Sequence, residues 1–118
     1  MTERRRLPDT RPSVTHRVRI EGQQGPVTLY LTAGLDESGR PLELFIRIGK
    51  AGSTMNGLLD TVGILTSYAL QYGVPLADLC GKMRNVSFDP AGKTTNAEIS
   101  ECASFVDYAF RWLAEVAG

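Results

Sequence analysis

Two sets of residues alternate in three successive runs along the first half of the chain. One set is largely apolar: Val14, His16, Val18 and Ile20, then Val27, Leu29, Leu31 and Ala33, then Leu42, Leu44, Ile46 and Ile48. A period of two is typical of a strand with one buried face. Segments rich in glycine, proline and polar residues, at 22–26 and 36–41, separate the runs. The pattern predicts three consecutive strands joined as an antiparallel meander.

The spacing of apolar residues changes to three and four after Ser53. The repeat predicts an amphipathic helix as far as Gln71, with Ser53 or Thr54 as its N-cap. Its predicted buried stripe is Leu58, Leu59, Val62, Leu65, Thr66, Ala69 and Leu70. Gly73 indicates the end of this helix, and Pro75 indicates the start of the next one. A shorter helix follows, with a stripe of Leu76, Leu79, Cys80 and Met83.

A third helix is predicted over 97–117. Its buried stripe consists of Cys102, Phe105, Val106, Ala109, Phe110, Leu113 and Val116, and Tyr108 and Trp112 flank it. Three strands followed by three helices favour a two-layer α+β domain, a meander packed by helices on its aliphatic face. The length of 118 residues suits one domain. We therefore divide the chain into a basic extended arm, 1–12, and a single domain, 13–118.

Charge gives no general argument for a polyanionic or membrane partner. Thirteen basic residues balance thirteen acidic ones, although six arginines fall within the first twenty positions. Such an arm can bind polyanions, and it can equally be a solvated tail, which we expect for Arg4 to Arg6. The sequence shows neither a signal peptide nor an apolar run that could span a membrane, so we expect a cytoplasmic protein.

The segment from Gly49 to Thr54 has the composition of an anion-binding turn. It combines Gly49, Lys50, Gly52, Ser53 and Thr54 at a predicted helix start. The first turn of a helix offers free amides and a positive dipole end, glycines allow close approach, and the lysine adds charge. The segment lacks the spacing of a P-loop. The alternative is an ordinary turn between a strand and a helix.

The other face of the predicted sheet mixes basic and aromatic residues. It carries Thr15, Arg17, Arg19, Thr28, Tyr30, Thr32, Phe45 and Arg47. Arg17 and Arg47 could add charge to a phosphate site, and Tyr30 or Phe45 could stack a base. Three interpretations stay open from the residues alone: a solvent-exposed face, a self-association surface and a ligand surface.

Candidates for catalysis are few. His16 is the only histidine, and Cys80 and Cys102 have neither a redox nor a metal-binding spacing, so we expect no metal site and buried free thiols. Asp60 and Asp107 each sit among apolar residues at helical spacing. No group of residues forms a self-contained catalytic arrangement, so we expect a protein that is not an enzyme on its own.

Five ordered segments resemble a known family. They are 6–16 (RLPDTRPSVTH), 49–54 (GKAGST), 70–76 (LQYGVPL), 88–92 (FDPAG) and 106–113 (VDYAFRWL). In this order they resemble the TSCPD-type domain, the region carboxy-terminal to the catalytic barrel of adenosylcobalamin-dependent (class II) ribonucleotide reductases. The radical cysteine, redox cysteines and cobalamin contacts of that family do not map onto Cys80 or Cys102. The resemblance therefore implies the fold but neither reductase activity nor a cofactor.

Three functional hypotheses follow. The first is a non-catalytic nucleotide- or phosphate-binding module, with homo-oligomers expected. It would act as a regulatory partner of a reductase or, in a virus, sequester a nucleotide signal. The second is a protein-interaction module that docks on a reductase or on itself through the sheet face. The third is single-stranded nucleic-acid binding by the sheet face and the arm. Met1 and the complete last helix favour a free-standing relative over an excised piece of a reductase.

Overall fold

The computed structural model describes residues 3–118; Met1 and Thr2, part of the predicted arm, lie outside the described residues. Strands β1 (Ser13–Gly22), β2 (Gly25–Leu35) and β3 (Pro41–Ile48) form an antiparallel sheet in the order β1-β2-β3. Helices α1 (Ser53–Gln71) and α2 (Leu76–Met83) follow. A two-stranded ribbon of β4 (Gly92–Lys93) and β5 (Glu101–Cys102) precedes α3 (Phe105–Val116). The predicted α+β fold with a three-stranded meander and three helices is confirmed.

The alternation along the strands separates a buried face from an exposed one. Val18, Leu29, Leu31, Leu44 and Ile46 are each at most 1% exposed, and they form the core with α3. Val14, at the open end of β1, is the exception, because it is 37% exposed. Most residues of the opposite parity are exposed or half-buried, and Arg17 and Tyr30 are among the exposed ones. A shift of one position would move every core residue to solvent, so the pattern fixes the register.

Helix α1 lies along the free edge of β3. Asn56 Oδ1 accepts from the Ile48 amide, and Ser67 Oγ accepts from the Leu44 amide. Gln71 Nε2 donates to the Leu42 carbonyl at 3.1 Å. These side chains take the place that another strand would occupy, and covering an edge in this way prevents strand addition by another chain.

This arrangement reverses part of the predicted stripe of α1. Leu58 and Leu65 were expected to be buried, but they are 60% and 66% exposed. Leu59, Thr66 and Leu70 of the stripe are buried as predicted, and the polar residues Ser67 and Gln71, which were not part of it, are buried as well. The prediction was wrong because α1 meets a row of backbone groups rather than an apolar surface, and those groups need hydrogen-bonding partners.

The third helix is shorter than predicted. Ala97–Ile99 form a single 3-10 turn, Cys102 lies on β5, and α3 begins only at Phe105. Ser104 is the reason, since its extended backbone precedes the helix and its side chain accepts from the Asp107 amide. Tyr108 and Trp112, predicted to flank the buried stripe, are in the core.

The arm is bound to the domain rather than solvated along its length. The Arg5 amide donates to the Gln71 carbonyl, and its guanidinium Nη1 lies 2.9 Å from Asp36 Oδ2. Arg11 forms a two-pronged pair with Glu43, with both hydrogen bonds at 2.9 Å. Arg4 Nε donates to Gln71 Oε1 at 2.7 Å, so Arg4 and Arg5 are not the solvated side chains that we expected, whereas Arg6 is exposed.

Candidate functional site

A row of three side chains crosses the exposed face of the sheet. Arg17 on β1 lies directly opposite Tyr30 on β2, and Tyr30 lies directly opposite Arg47 on β3. Directly opposed residues have β-carbons about 4.5–5.5 Å apart, so the side chain of Tyr30 leaves the sheet between those of Arg17 and Arg47. The strands bearing the two arginines are about 10 Å apart. Three of the residues predicted for the site are therefore neighbours.

The row ends beside the predicted anion-binding turn. The Gly49 amide donates to the Thr28 carbonyl at 2.9 Å, which ties the turn to β2. A β-carbon at Gly49 would meet the ring of Tyr30 at 3.4 Å, so that ring lies against the turn. Lys50 follows in the left-handed conformation, with φ 63°, and its side chain is exposed. The structure brings the turn and the row together into one surface.

The start of α1 has free amides. Gly52 is the N-cap, so Ser53 and Thr54 are the first helical residues and neither caps the helix with its side chain, contrary to one of our expectations. The first helical hydrogen bond runs from the Asn56 amide to the Gly52 carbonyl. Within residues 3–118, the amides of Ser53, Thr54 and Met55 have no acceptor. Such amides at a positive dipole end suit an anion.

The positive charges of this surface are not neutralised internally. In the part of the chain that the structure describes, no carboxylate lies within ion-pairing distance of Arg17, Arg47 or Lys50. The first turn of α1 also has no acidic residue. Phe45, the second predicted stacking residue, belongs to the neighbouring row, opposite Thr32, and is 50% exposed. The surface is open, basic and aromatic.

A second polar cluster, which the sequence did not reveal, lies between β1 and α3. His16 Nε2 and Tyr108 Oη are 2.6 Å apart, and Asn96 Nδ2 donates to the same hydroxyl. The ring of His16 also stacks on Trp112, with centroids 5.7 Å apart. Burial lowers the pKa of His16 and raises the pKa of Tyr108. The cluster holds the last helix on the sheet with a neutral imidazole.

Neither cysteine is placed for chemistry. Cys80 and Cys102 are free and buried, and burial raises the pKa of each thiol. Cys80 Sγ donates to the Phe110 carbonyl at 3.3 Å. Because the thiolate is the reactive form, both are structural residues. Among residues 3–118, histidine, cysteine and carboxylate side chains form no group that could hold a metal ion.

The described helices include none that is both long and apolar enough to cross a membrane.

The family model for the TSCPD domain matches residues 2–117. This chain belongs to the TSCPD domain family. The resemblance drawn from the five sequence segments is thereby confirmed. The TSCPD match extends across the arm as well as the sheet and helices, and the arm's contacts with Asp36, Glu43 and Gln71 agree with that extent.

The relatives are long enzymes. The chain is 47% identical over 110 residues to a vitamin B12-dependent ribonucleotide reductase of Rhodopirellula baltica, covering 93% of this chain and 10% of that protein. A vitamin B12-dependent ribonucleotide reductase of Streptomyces avermitilis is 40% identical, and the match covers 94% of this chain and 11% of that protein. A reductase with the same name from Bradyrhizobium diazoefficiens is 35% identical, and the match covers 97% of this chain and 9% of that protein. The chain thus spans about a tenth of the length of these curated relatives. No solved structure matches it.

Proposed function

We propose that this TSCPD domain is a non-catalytic module that binds a nucleotide or another phosphate-bearing small molecule. The observation that carries the proposal is the row of Arg17, Tyr30 and Arg47, whose Tyr30 ring lies against the turn that leads into the uncapped start of α1. The names of the relatives support the ligand class, because a ribonucleotide reductase acts on nucleotides. The proposal that the module is non-catalytic rests on its two cysteines, because both thiols are buried and neither is accessible as a nucleophile.

Each part of the surface suits one part of a nucleotide. The amides of Gly52, Ser53 and Thr54, together with Lys50, would hold a phosphate at the positive end of α1. Arg47 and Arg17 flank Tyr30 and would hold further phosphate oxygens through charge-assisted hydrogen bonds. The ring of Tyr30, or that of Phe45 in the next row, would stack a base. Binding without turnover needs only these groups.

Two biological settings follow from this chemistry. The module could regulate a ribonucleotide reductase, as a part of it or as a separate partner. It could instead sequester a nucleotide signal, which in a virus would act against the host. Both settings place the protein in the cytoplasm, which stays a prediction.

Titration calorimetry tests the proposal with a panel of AMP, ATP, cyclic dinucleotides, adenosine and inorganic phosphate. Arg47→Gln and Tyr30→Leu should each weaken nucleotide binding about tenfold, the size of one charge-assisted hydrogen bond or one stacked base. Lys50→Asn removes the charge with a residue that tolerates the left-handed conformation. Lys82→Gln, an exposed lysine of α2, is the matched control and should bind normally. Absence of binding by every ligand, or equal binding by all variants, would refute the proposal.

A second candidate is a protein-interaction module that docks on a reductase or on itself through the same sheet face. Tyr30 and Phe45 favour it, since they are 42% and 50% exposed and aromatic side chains are enriched at interfaces. It predicts a complex that forms without nucleotide and is disrupted by Tyr30→Glu or Arg47→Glu. Affinity that falls steeply with salt for single-stranded DNA or RNA would instead favour nucleic-acid binding, our third hypothesis.

A further inference from the structure

The outward face of α1 is apolar although nothing within the described chain covers it. Leu58, Ile64 and Leu65 are 59–66% exposed, and Tyr68 and Tyr72 are also exposed. At 100° per residue these side chains fall on one side of the helix, opposite the residues that contact β3. Thr61 is the polar residue among them, and a group of large exposed apolar side chains on one helix face marks a binding surface.

This face has almost no charge of its own. Asp60 is the only ionisable acid or base between Ser53 and Gln71 apart from the Tyr68 phenol, and no described basic group lies within ion-pairing distance of it. Arg4 contacts Tyr68, towards the other end of the same face. Its guanidinium lies 4.1 Å from the centroid of the Tyr68 ring and donates to that residue's hydroxyl, yet no described carboxylate pairs with it.

Asp60 and Arg4 line the same groove. The groove has a volume of about 370 Å³ and runs between α1 and β3, with Ile64 and Phe45 in its walls. Asp60 and Tyr68, which carries Arg4 over its ring, are eight helical positions or about 12 Å apart, so one acid and one base border one flank of the apolar face. Arg4 donates to the neutral side chains of Gln71 and Tyr68, but neither Arg4 nor Asp60 has an oppositely charged partner within the described chain, which indicates an occupant with the opposite order of charges.

We propose that the occupant is a second copy of this chain, bound through antiparallel packing of α1 on α1. A two-fold axis between Ile64 and Leu65 brings the same flank of both helices together. Position 60 of one copy then faces positions 68 and 69 of the other. Each Asp60 thus meets the Arg4 beside the partner's Tyr68, twice in one interface, while Ile64 and Leu65 pack at its centre.

A parallel two-fold arrangement would put this flank of the two copies on opposite sides of the interface, so Asp60 would not reach the partner's Arg4. The antiparallel arrangement gives each of these charges an oppositely charged partner, in two intermolecular pairs. The interface uses none of Arg17, Tyr30, Arg47 or Lys50, so this proposal and the nucleotide-binding proposal can fail independently.

Sedimentation velocity over a concentration series, without nucleotide, tests the dimer. Leu65→Asp should weaken dimerisation at least about tenfold by burying a charge at the centre. Val86→Asp, which changes an exposed apolar residue elsewhere, is the matched control and should dimerise normally. A monomer at every concentration, or a dimer unaffected by Leu65→Asp, would overturn the proposal.

Charge exchange distinguishes a second copy from any other protein partner. Asp60→Arg and Arg4→Asp should each weaken the dimer, and the double variant Asp60→Arg/Arg4→Asp should recover most of the loss, because both pairs form again with reversed order. Circular dichroism of dilute samples verifies that Arg4→Asp, which also loses its bonds to Tyr68 and Gln71, still folds. A double variant no better than the single variants would contradict antiparallel pairing.

Discussion

The backbone of Gly63 lies against the carbonyl oxygen of Leu44, so close that a β-carbon on residue 63 would stand 2.7 Å from that oxygen. This contact lets α1 lie along the edge of β3. Ser67, one turn further on, accepts from the Leu44 amide at 3.0 Å and donates to the Gly63 carbonyl at 2.8 Å. The position of α1 in turn affects the site, because its first turn, with amides that have no acceptor, follows directly after the Gly49 turn that lies against Tyr30.

Substitution of Gly63 should therefore be costly. We expect Gly63→Ala to lower the free energy of unfolding by about 1–3 kcal/mol, since the backbone oxygen of Leu44 cannot move aside without shifting the strand. Gly57→Ala on the same helix is the control, because a β-carbon there meets nothing within 4 Å. It should raise stability by about 0.5–1 kcal/mol. Urea unfolding followed by circular dichroism measures both, and equal stabilities would contradict the close contact.

Asp107 should be essential for the start of α3. Its carboxylate accepts from the Asn85 amide, the Ala103 amide and Arg111 Nε, all within 2.8 Å. Burial alone would raise the pKa of Asp107, but these hydrogen bonds and the Arg111 charge lower it. Asp107→Ala should cost about 2–4 kcal/mol, because buried donors lose their acceptor. Asp78→Ala in the first turn of α2, where the acid is exposed, should cost only about 0.3–1 kcal/mol by urea unfolding.

The arm should contribute to stability as well as to charge. Hydrogen bonds from Ser38 and Arg40, with a smaller effect of Arg5, lower the pKa of Asp36 to about 2 against the opposing effect of burial. Removing residues 1–12 deletes Arg5 and the Arg11–Glu43 pair, and we expect a loss of about 2–4 kcal/mol in thermal and urea unfolding. Arg6→Ala, at an exposed position, should change stability by less than about 0.5 kcal/mol. A truncated chain as stable as the full one would show that the arm's contacts contribute nothing.

Stability should fall when His16 is protonated. Burial holds the pKa of His16 below its ordinary value of 6.5, so the unfolded chain binds the proton more readily than the folded one. Neutral His16 makes its full contribution to the free energy of unfolding above pH 6.5, the ordinary pKa that His16 has in the unfolded chain. That contribution is lost as the pH falls from 6.5 through the lower pKa that His16 has in the folded protein. His16→Gln should remove this part of the pH dependence. The imidazole signals in an NMR titration report the folded pKa directly, since the chain has one histidine, and a pKa above 6.5 would contradict the buried neutral ring.

The sequence predicted the sheet well because alternation depends only on one buried face. Val18, Leu29 and Ile46 are buried where the period of two places them. It was less successful for the helices. The spacing of Leu58 and Leu65 matches a buried stripe, but helical periodicity cannot indicate that the helix meets a strand edge, where Ser67 and Gln71 are the useful residues. Ser104 and Asp107 gave a capping signal three residues apart that would have placed the start of α3 correctly.

The candidate site was predictable in its residues and not in its arrangement. Parity alone put Arg17, Tyr30 and Arg47 on one face, and only the register shows that they form one row. The contact between Tyr30 and Gly49 joins residues far apart in the sequence, and no local pattern encodes it. The pairing of His16 with Tyr108 was missed for the same reason, because it depends on how α3 lies on the sheet.

The most direct measurement is an NMR titration of the ¹⁵N-labelled protein with nucleotide, followed at the backbone amides and at the ring protons of Tyr30. We expect the largest shifts at Ser53, Thr54 and Met55, accompanied by Gly49 and the Tyr30 ring, and we expect Lys50→Asn to reduce them. Inorganic phosphate should shift the amides at the start of α1 and leave the Tyr30 ring unchanged. Amides of the turn that stay unchanged at saturating nucleotide, or shifts confined to the groove between α1 and β3, would contradict nucleotide binding at this surface.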